Sequence, residues 1–241
     1  MKKTKIISFV LISFIALNLV SCSSNNDDAS VPTPNPIPNA TSTLNYYPSA
    51  INNQWVYITN GVQQSPLKMV SYDAVNSNNY FTFSAPVGGG PSATSRIRTV
   101  GSDYYMRIET ITTAASGATP GSTTTGSETI LLKDNLAVGN NWTASYDQTT
   151  TYTNSSIPPV TIHYDVTSTI LSKDITYVVG GVTYTNVIKM ERNVSYADAG
   201  GTFSGYYSSD YWFSKGVGPI RIETISGSGT TNQMLASYII N

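Results

Sequence analysis

Through most of the chain, apolar and polar residues alternate with a period of two. Residues 160–171 show it most cleanly: Val160, Ile162, Tyr164, Val166 and Ile170 fall on one side, and Thr161, His163, Asp165, Thr167 and Thr169 on the other. Successive side chains of a strand point to opposite faces, so the first set is predicted to line a core and the second to face solvent. Runs rich in β-branched and aromatic residues predict further strands at 55–58, 68–72, 80–83, 95–100, 104–112, 175–179, 182–185, 187–196, 206–213, 220–225 and 233–240, about a dozen in all. Asn76–Asn79, Gly101-Ser102-Asp103 and Gly180-Gly181 supply turn signals between them. Residues after 44 show no amphipathic helical period. The short connections favour antiparallel pairing, since a parallel crossover needs a dozen or more residues. A sheet of this size must curl, close or split. The expectation is one all-β domain over 44–241, a large antiparallel sheet curled into a barrel-like or sandwich form. Residues 113–127, rich in Thr, Ser and Gly, read as a mobile hairpin loop.

The N-terminus breaks this pattern. Lys2, Lys3 and Lys5 precede an apolar run from Ile6 to Leu17 interrupted only by serine, the order of a secretory signal. The run is shorter than the roughly 20 residues that span a bilayer. Leu19-Val20-Ser21-Cys22 follows and resembles a bacterial lipobox. The resemblance implies cleavage after residue 21 and lipid on the sulfur of Cys22, with a further acyl chain on the new terminus; two or more chains hold a protein stably at a membrane. Residues 1–21 are thus a lipoprotein signal peptide, and 22–43 are the lipidated cysteine and a Pro/Asn/Ser-rich tether. Prolines 32, 34, 36 and 38 favour an extended spacer. Asn25-Asn26-Asp27-Asp28 is similar to the acidic export tags of some Bacteroidota lipoproteins, which implies an outer-membrane lipoprotein displayed at the cell surface.

Composition narrows the chemistry. Charged residues make up only 11% of the chain, and there are 17 tyrosines. The three lysines of the signal aside, 10 basic and 14 acidic residues remain, a formal charge of −4. No basic patch points to nucleic acid, whose binding rests on phosphate neutralisation. Cys22 is the single cysteine, so no internal disulfide can form. His163 is the single histidine. It shares a strand face with Asp165, the arrangement of a base and its orienting acid or of a solvent-facing polar pair. Zinc usually takes two or three His or Cys ligands, and no calcium loop is present, so no metal or cofactor is implied. No Gly-x-Ser-x-Gly elbow occurs. A carboxylate pair for glycoside hydrolysis leaves no local signature. The strand acids Glu109, Asp165, Glu191 and Glu223 are expected in cross-strand charge pairs involving Arg107, Lys189, Arg192 and Arg221. Tyr and Trp along a sheet face could bind sugars or partner proteins.

Tyr46-Tyr47-Pro48 with Trp55-Val56-Tyr57, Val138-Gly139-Asn140-Asn141-Trp142, Tyr184-Thr185-Asn186-Val187-Ile188-Lys189 and Tyr211-Trp212-Phe213-Ser214-Lys215-Gly216-Val217-Gly218-Pro219-Ile220 together resemble a widespread, mostly uncharacterised family of extracytoplasmic β-rich lipoproteins of Bacteroidota. The resemblance implies a curved sheet distantly like the half-barrel of lipoprotein carriers, and it supplies no catalytic residues. Read physically, the last pattern is a bulky strand end, a sharp reversal at Gly216 and Gly218, and a return strand. Its Trp212, Lys215, Gly216 and Gly218, with His163 and Asp165, are the candidate ligand residues. The function expected is a non-enzymatic binding or envelope-structural domain, with the membrane reached through the lipid and a glycan or envelope protein as partner. The alternatives are a surface glycan hydrolase using a carboxylate pair, or a carrier of lipid or lipoprotein.

Overall fold

A computed structural model describes residues 45–84 and 93–241. The signal, Cys22, the tether with Asp27 and Asp28, and Leu44 lie outside the described residues. The described chain holds no helix. Its strands are β1 (Gln54–Thr59), β2 (Val62–Gln63), β3 (Leu67–Val75), β4 (Asn78–Phe83), β5 (Ser95–Val100), β6 (Asp103–Ile108), β7 (Ile111–Thr113) and β8 (Ser122–Thr124). They continue as β9 (Ser127–Lys133), β10 (Asn141–Tyr152), β11 (Val160–Val179), β12 (Val182–Asp198), β13 (Ser204–Ser214), β14 (Gly218–Ser226) and β15 (Gly229–Ile239). All join one antiparallel sheet in the order β7-β8-β10-β11-β12-β13-β14-β15-β1-β3-β4-β5-β6-β9, with β2 paired to β1.

The sheet curls without closing. Among the described residues no further strand is added beyond β9, and side chains bridge the seam instead. The indole N–H of Trp142, in β10, donates to the Ile130 carbonyl of β9 at 3.2 Å. Arg192, in β12, donates to the same carbonyl at 3.0 Å and to Thr129 Oγ1 at 2.8 Å. Leaving the polar groups of a buried strand edge unmatched costs about 1–3 kcal/mol each, so these bonds are a condition of the curl.

Register fixes which residues share the concave face, because directly opposed cross-strand partners point the same way. Across β11, β12 and β13 the inward rows read Tyr164–Tyr196–Gly205, Val166–Val194–Tyr207, Ser168–Arg192–Ser209 and Ile170–Met190–Tyr211. Ile170 and Met190 are fully buried, as are Trp55, Met69, Ile97, Leu132, Ile188, Phe213 and Ile220. Each such side chain contributes roughly 1.5–3 kcal/mol of burial. Tyr47, Trp55 and Phe83 pack ring against ring at 5.5 to 6.3 Å.

Two expectations are corrected here. The runs 160–171, 175–179, 182–185 and 187–196 are two strands, not four: β11 and β12 carry straight through, with bulges near Ser172 and Ile175 and positive φ at Asp174 and Asn186. The bulges bend the hairpin so that Tyr177 stacks on Trp212 of β13, on the outer face, at 5.3 Å. Residues 113–127, expected as a mobile loop, include β8 and the ends of β7 and β9. Their order comes from pairing with β10, including a buried 2.8 Å hydrogen bond between the hydroxyls of Thr124 and Thr150.

Candidate functional site at the open end of the concave face

Four rings stand in a row on the concave face. Tyr146 and Tyr164, opposed across β10 and β11, stack at 4.9 Å and 8° from parallel. Tyr164 meets Tyr196 at 5.6 Å, and Tyr196 stacks on Phe203 at 5.4 Å. Gly205 makes room for the row, since a Cβ there would come within 2.2 Å of the Tyr196 hydroxyl. Tyr146, Tyr196, Phe203 and Tyr207 stay half-buried beside buried Ile162, Tyr164, Val166 and Val194. This cluster is distinct from the main core. The polar row Ser168–Arg192–Ser209 lies between the two. The faces between neighbouring rings are closed, so the interior of the row offers edges and hydroxyls. Burial pushes the Tyr164 phenol up to about 12, aided by Tyr146 and Tyr196. The Tyr164 hydroxyl is therefore a neutral hydrogen-bonding group at physiological pH.

His163 lies on the opposite, convex face. Its Nδ1 is 2.6 Å from Asp147 and its Nε2 3.4 Å from Asp165. Both ring nitrogens are engaged by carboxylates and the side chain is 53% exposed, so the imidazole is a screened ion-pair partner rather than a free base. The hydrogen bond to Asp147 raises its pKa, with Asp165 and Asp147 adding charge attraction. A raised folded-state value means that this contribution to stability is present below the unfolded value of about 6.5 and is lost as pH rises through the folded one. The His163 ring resonances are accordingly expected to titrate above that reference in NMR, and Asp147→Asn to move the midpoint down. A wild-type midpoint at or below the reference contradicts the assignment.

The remaining candidates separate. Trp212 is buried on the outer face, with Lys189 Nζ 4.8 Å and the Arg221 guanidinium 5.0 Å from its ring. Lys189 pairs with Asp210 at 2.7 Å and Arg221 with Glu223 at 2.8 Å. Lys215, Gly216 and Gly218 form the β13–β14 turn, which docks the N-terminal segment. The Gly216 N–H donates to the Asn45 carbonyl, the Trp55 indole to the Val217 carbonyl at 2.7 Å, and the Tyr57 hydroxyl to the Pro219 carbonyl at 2.9 Å. Lys215 Nζ lies 5.9 Å from the Tyr46 ring centre. Gly218 has φ +109°, and a Cβ there would sit 3.2 Å from the Trp55 indole nitrogen. Two of the sequence patterns, Tyr46–Tyr57 and Tyr211–Ile220, are thus two halves of one structural joint.

Asp73, Glu109, Glu128, Glu191 and Glu223 are engaged by arginines or polar side chains. Glu109 pairs with Arg107 at 2.8 Å, along its own strand segment rather than across strands, and with Arg96 at 2.9 Å. Glu223 likewise pairs with Arg221 two residues away. Glu191 accepts from Asn193, while Arg192 turns to the concave face. Of the acids expected in cross-strand pairs, Glu109 keeps one, with Arg96 of β5, whereas Asp165, Glu191 and Glu223 bond to residues two apart on their own strands, which share a face. Hydrogen bonds from Ser71 and Thr82, with Arg96, hold Asp73 below the usual carboxylate range, and Arg107 with Arg96 does the same for Glu109.

The concave aromatic row, with Arg192 beneath it, escaped the sequence reading. Only Tyr164 was placed on the inward face by alternation; Tyr146, Tyr196 and Phe203 join it through strand register.

No family model matches this chain. No curated protein matches it either. Among solved structures, a Parabacteroides distasonis protein assigned as a lipoprotein aligns over 81% of this chain and 99% of its own, with a TM-score of 0.53 and 10% identity. A Bacteroides fragilis protein assigned as exported, with a YmcC-like fold, aligns over 80% of this chain and 98% of its own, with a TM-score of 0.46 and 10% identity. The Parabacteroides structure shares the fold.

Proposed function

We propose that this chain is an extracytoplasmic lipoprotein, anchored through Cys22, whose β-domain binds a ligand at the aromatic end of its concave face without turning it over. The observation that carries this reading is the half-buried row of Tyr146, Tyr164, Tyr196 and Phe203. A lipoprotein assignment for the Parabacteroides protein of the same fold supports the anchor. Orientation supports it further. The described chain enters beside Gly216, just past Ser214 at one end of β13, whereas Gly205 lies nine residues from Ser214 at the other end, about 30 Å at roughly 3.3 Å per residue. A tether leaving the Gly216 end would present the aromatic end away from the membrane.

Glycan hydrolysis needs a carboxyl held protonated near neutral pH. Asp73 and Glu109 are displaced the other way by their arginine and hydroxyl partners, so neither is that acid. A carrier requires a wide apolar cavity, and Trp55, Phe213, Met190 and Ile188 fill the main core.

A chain beginning at Ser23 keeps every described residue. It should bind a member of a panel of glycans and envelope amphiphiles without releasing product, and Tyr164→Ala should abolish that binding. Product release lost on a single Asp or Glu substitution would overturn the proposal. Mass spectrometry of protein from cells should show the mature chain starting at a lipid-bearing Cys22; an unmodified peptide starting elsewhere contradicts the anchor. Replacing Asp27 and Asp28 with Ala should keep the lipid but remove accessibility to protease on whole cells.

A further inference from the structure

Arg192 is a buried cation with no carboxylate. Its side chain is enclosed on the concave face, 9% exposed, and it belongs to none of the ion pairs among the described residues. Two of its five N–H donors reach neutral acceptors, the Ile130 carbonyl and Thr129 Oγ1. Buried arginines are ordinarily paired, because a desolvated charge facing only neutral groups is costly. Directly opposite it on β11 is Ser168, fully buried, whose hydroxyl has no hydrogen-bond partner. On its other side, on β13, Tyr207 and Tyr211 flank Ser209, the residue that faces Arg192. Burial raises the phenol pKa of Tyr146, Tyr207 and Tyr211, and the charge of Arg192 opposes that rise at all three. The guanidinium thus shares its face with Ser168, Ser209 and three tyrosines that feel its charge, between the filled core and the aromatic end.

We infer that Arg192, with the hydroxyls of Ser168, Tyr207 and Tyr211, is a cradle for the carboxylate of an amphiphilic ligand whose apolar body lies against Val166, Val194 and Tyr164. This rests on reading the aromatic end as the binding site, and it names the ligand class. The cation supplies charge-assisted hydrogen bonds to the carboxylate, for which a guanidinium is suited. The phenols and Ser168 supply neutral donors. Apolar rows on the way to Arg192 favour an aliphatic body over a sugar.

The test is calorimetric titration of the chain beginning at Ser23 with decanoate and with its neutral isostere decanamide. Decanoate is expected to bind at least tenfold more tightly. Arg192→Met should erase the difference. Because Arg192 also holds the β9 seam, that variant could fail to fold, so Tyr207→Phe and Ser168→Ala provide the second arm. Each keeps the guanidinium and should weaken decanoate severalfold and decanamide less, because a bond to an ionised acceptor is the stronger one. Equal binding of the two ligands, lost together in Tyr164→Ala, overturns the cradle and leaves the aromatic end as a binding site. Undiminished decanoate binding in a folded Arg192→Met overturns it as well. Binding of neither ligand overturns the cradle, and the aromatic end then stands or falls with the panel described above.

Discussion

Trp55→Ala is expected to cost about 3–5 kcal/mol, the range for removing a fully buried aromatic side chain, and to lower the urea midpoint with little change in slope. Trp55 is 0% exposed, packs edge-on against Tyr47 and Phe83, and donates its indole N–H to the Val217 carbonyl. Truncation opens a cavity where the N-terminal segment, β1 and the β13–β14 turn meet, and it leaves the Val217 carbonyl without that donor. Trp55→Phe keeps an aromatic ring while losing the hydrogen bond and part of the volume, so it should cost less than Trp55→Ala, about 1–3 kcal/mol. If Trp55→Ala unfolds at the wild-type urea concentration, the joint does not hold the sheet together as described.

Gly126→Ala is expected to destabilise by about 1–3 kcal/mol or more, the cost of forcing atoms into a packed site. Gly126 lies between β8 and β9, and a Cβ there would come 2.3 Å from the Ile108 carbonyl oxygen and 2.9 Å from the Glu109 carbonyl carbon. Both are backbone atoms, so no rotamer change relieves the clash. A mobile loop would accept alanine without loss and even gain from the reduced freedom of the unfolded chain. Urea unfolding therefore decides between an ordered corner and a loose one: a midpoint equal to or above wild type contradicts the packing at 126.

That position marks where sequence legibility ends. The alternation of Val160 to Ile170 forecast the burial of β11, because each inward residue was apolar enough to show the period. β10 went unread. Its inward residues are Trp142, Ala144, Tyr146, Gln148 and Thr150, and Gln148 and Thr150 are buried despite their polarity, each through a hydrogen bond across the sheet. β9 was missed because the bulge at Tyr104/Tyr105 sets Leu131 and Leu132 in succession, which breaks the period of two. β7 and β8 are three-residue strands of mostly Thr and Ser, ordered by neighbours rather than by their own composition. Gly180-Gly181 was legible as a turn, but positive φ at Asp174 and Asn186 disguised two bent strands as four.

The site was less legible than the fold for a related reason. Residues 146, 164, 196 and 203 become neighbours only once the β10–β11–β12 register is set, and a shift of one residue would turn the affected ring to the convex face. Arg192 follows Glu191 in sequence and reads as its charge partner. In the folded sheet adjacent residues face opposite sides, so Glu191 bonds Asn193 on the convex face while Arg192 crosses the interior to β9. The motif residues Lys215, Gly216 and Gly218 stood out because their conformations are demanding. That demand is met by holding Asn45 and Trp55 in place.

The most direct measurement of the binding account is NMR shift mapping of the chain beginning at Ser23 during titration with decanoate. The account predicts saturable shifts at Tyr146, Tyr164, Val166, Ser168, Arg192, Val194 and Tyr207, with His163 on the convex face and the Lys215–Gly218 turn unmoved. Shifts confined to Trp212, the turn or the convex face, or no saturable shift at all, would contradict it.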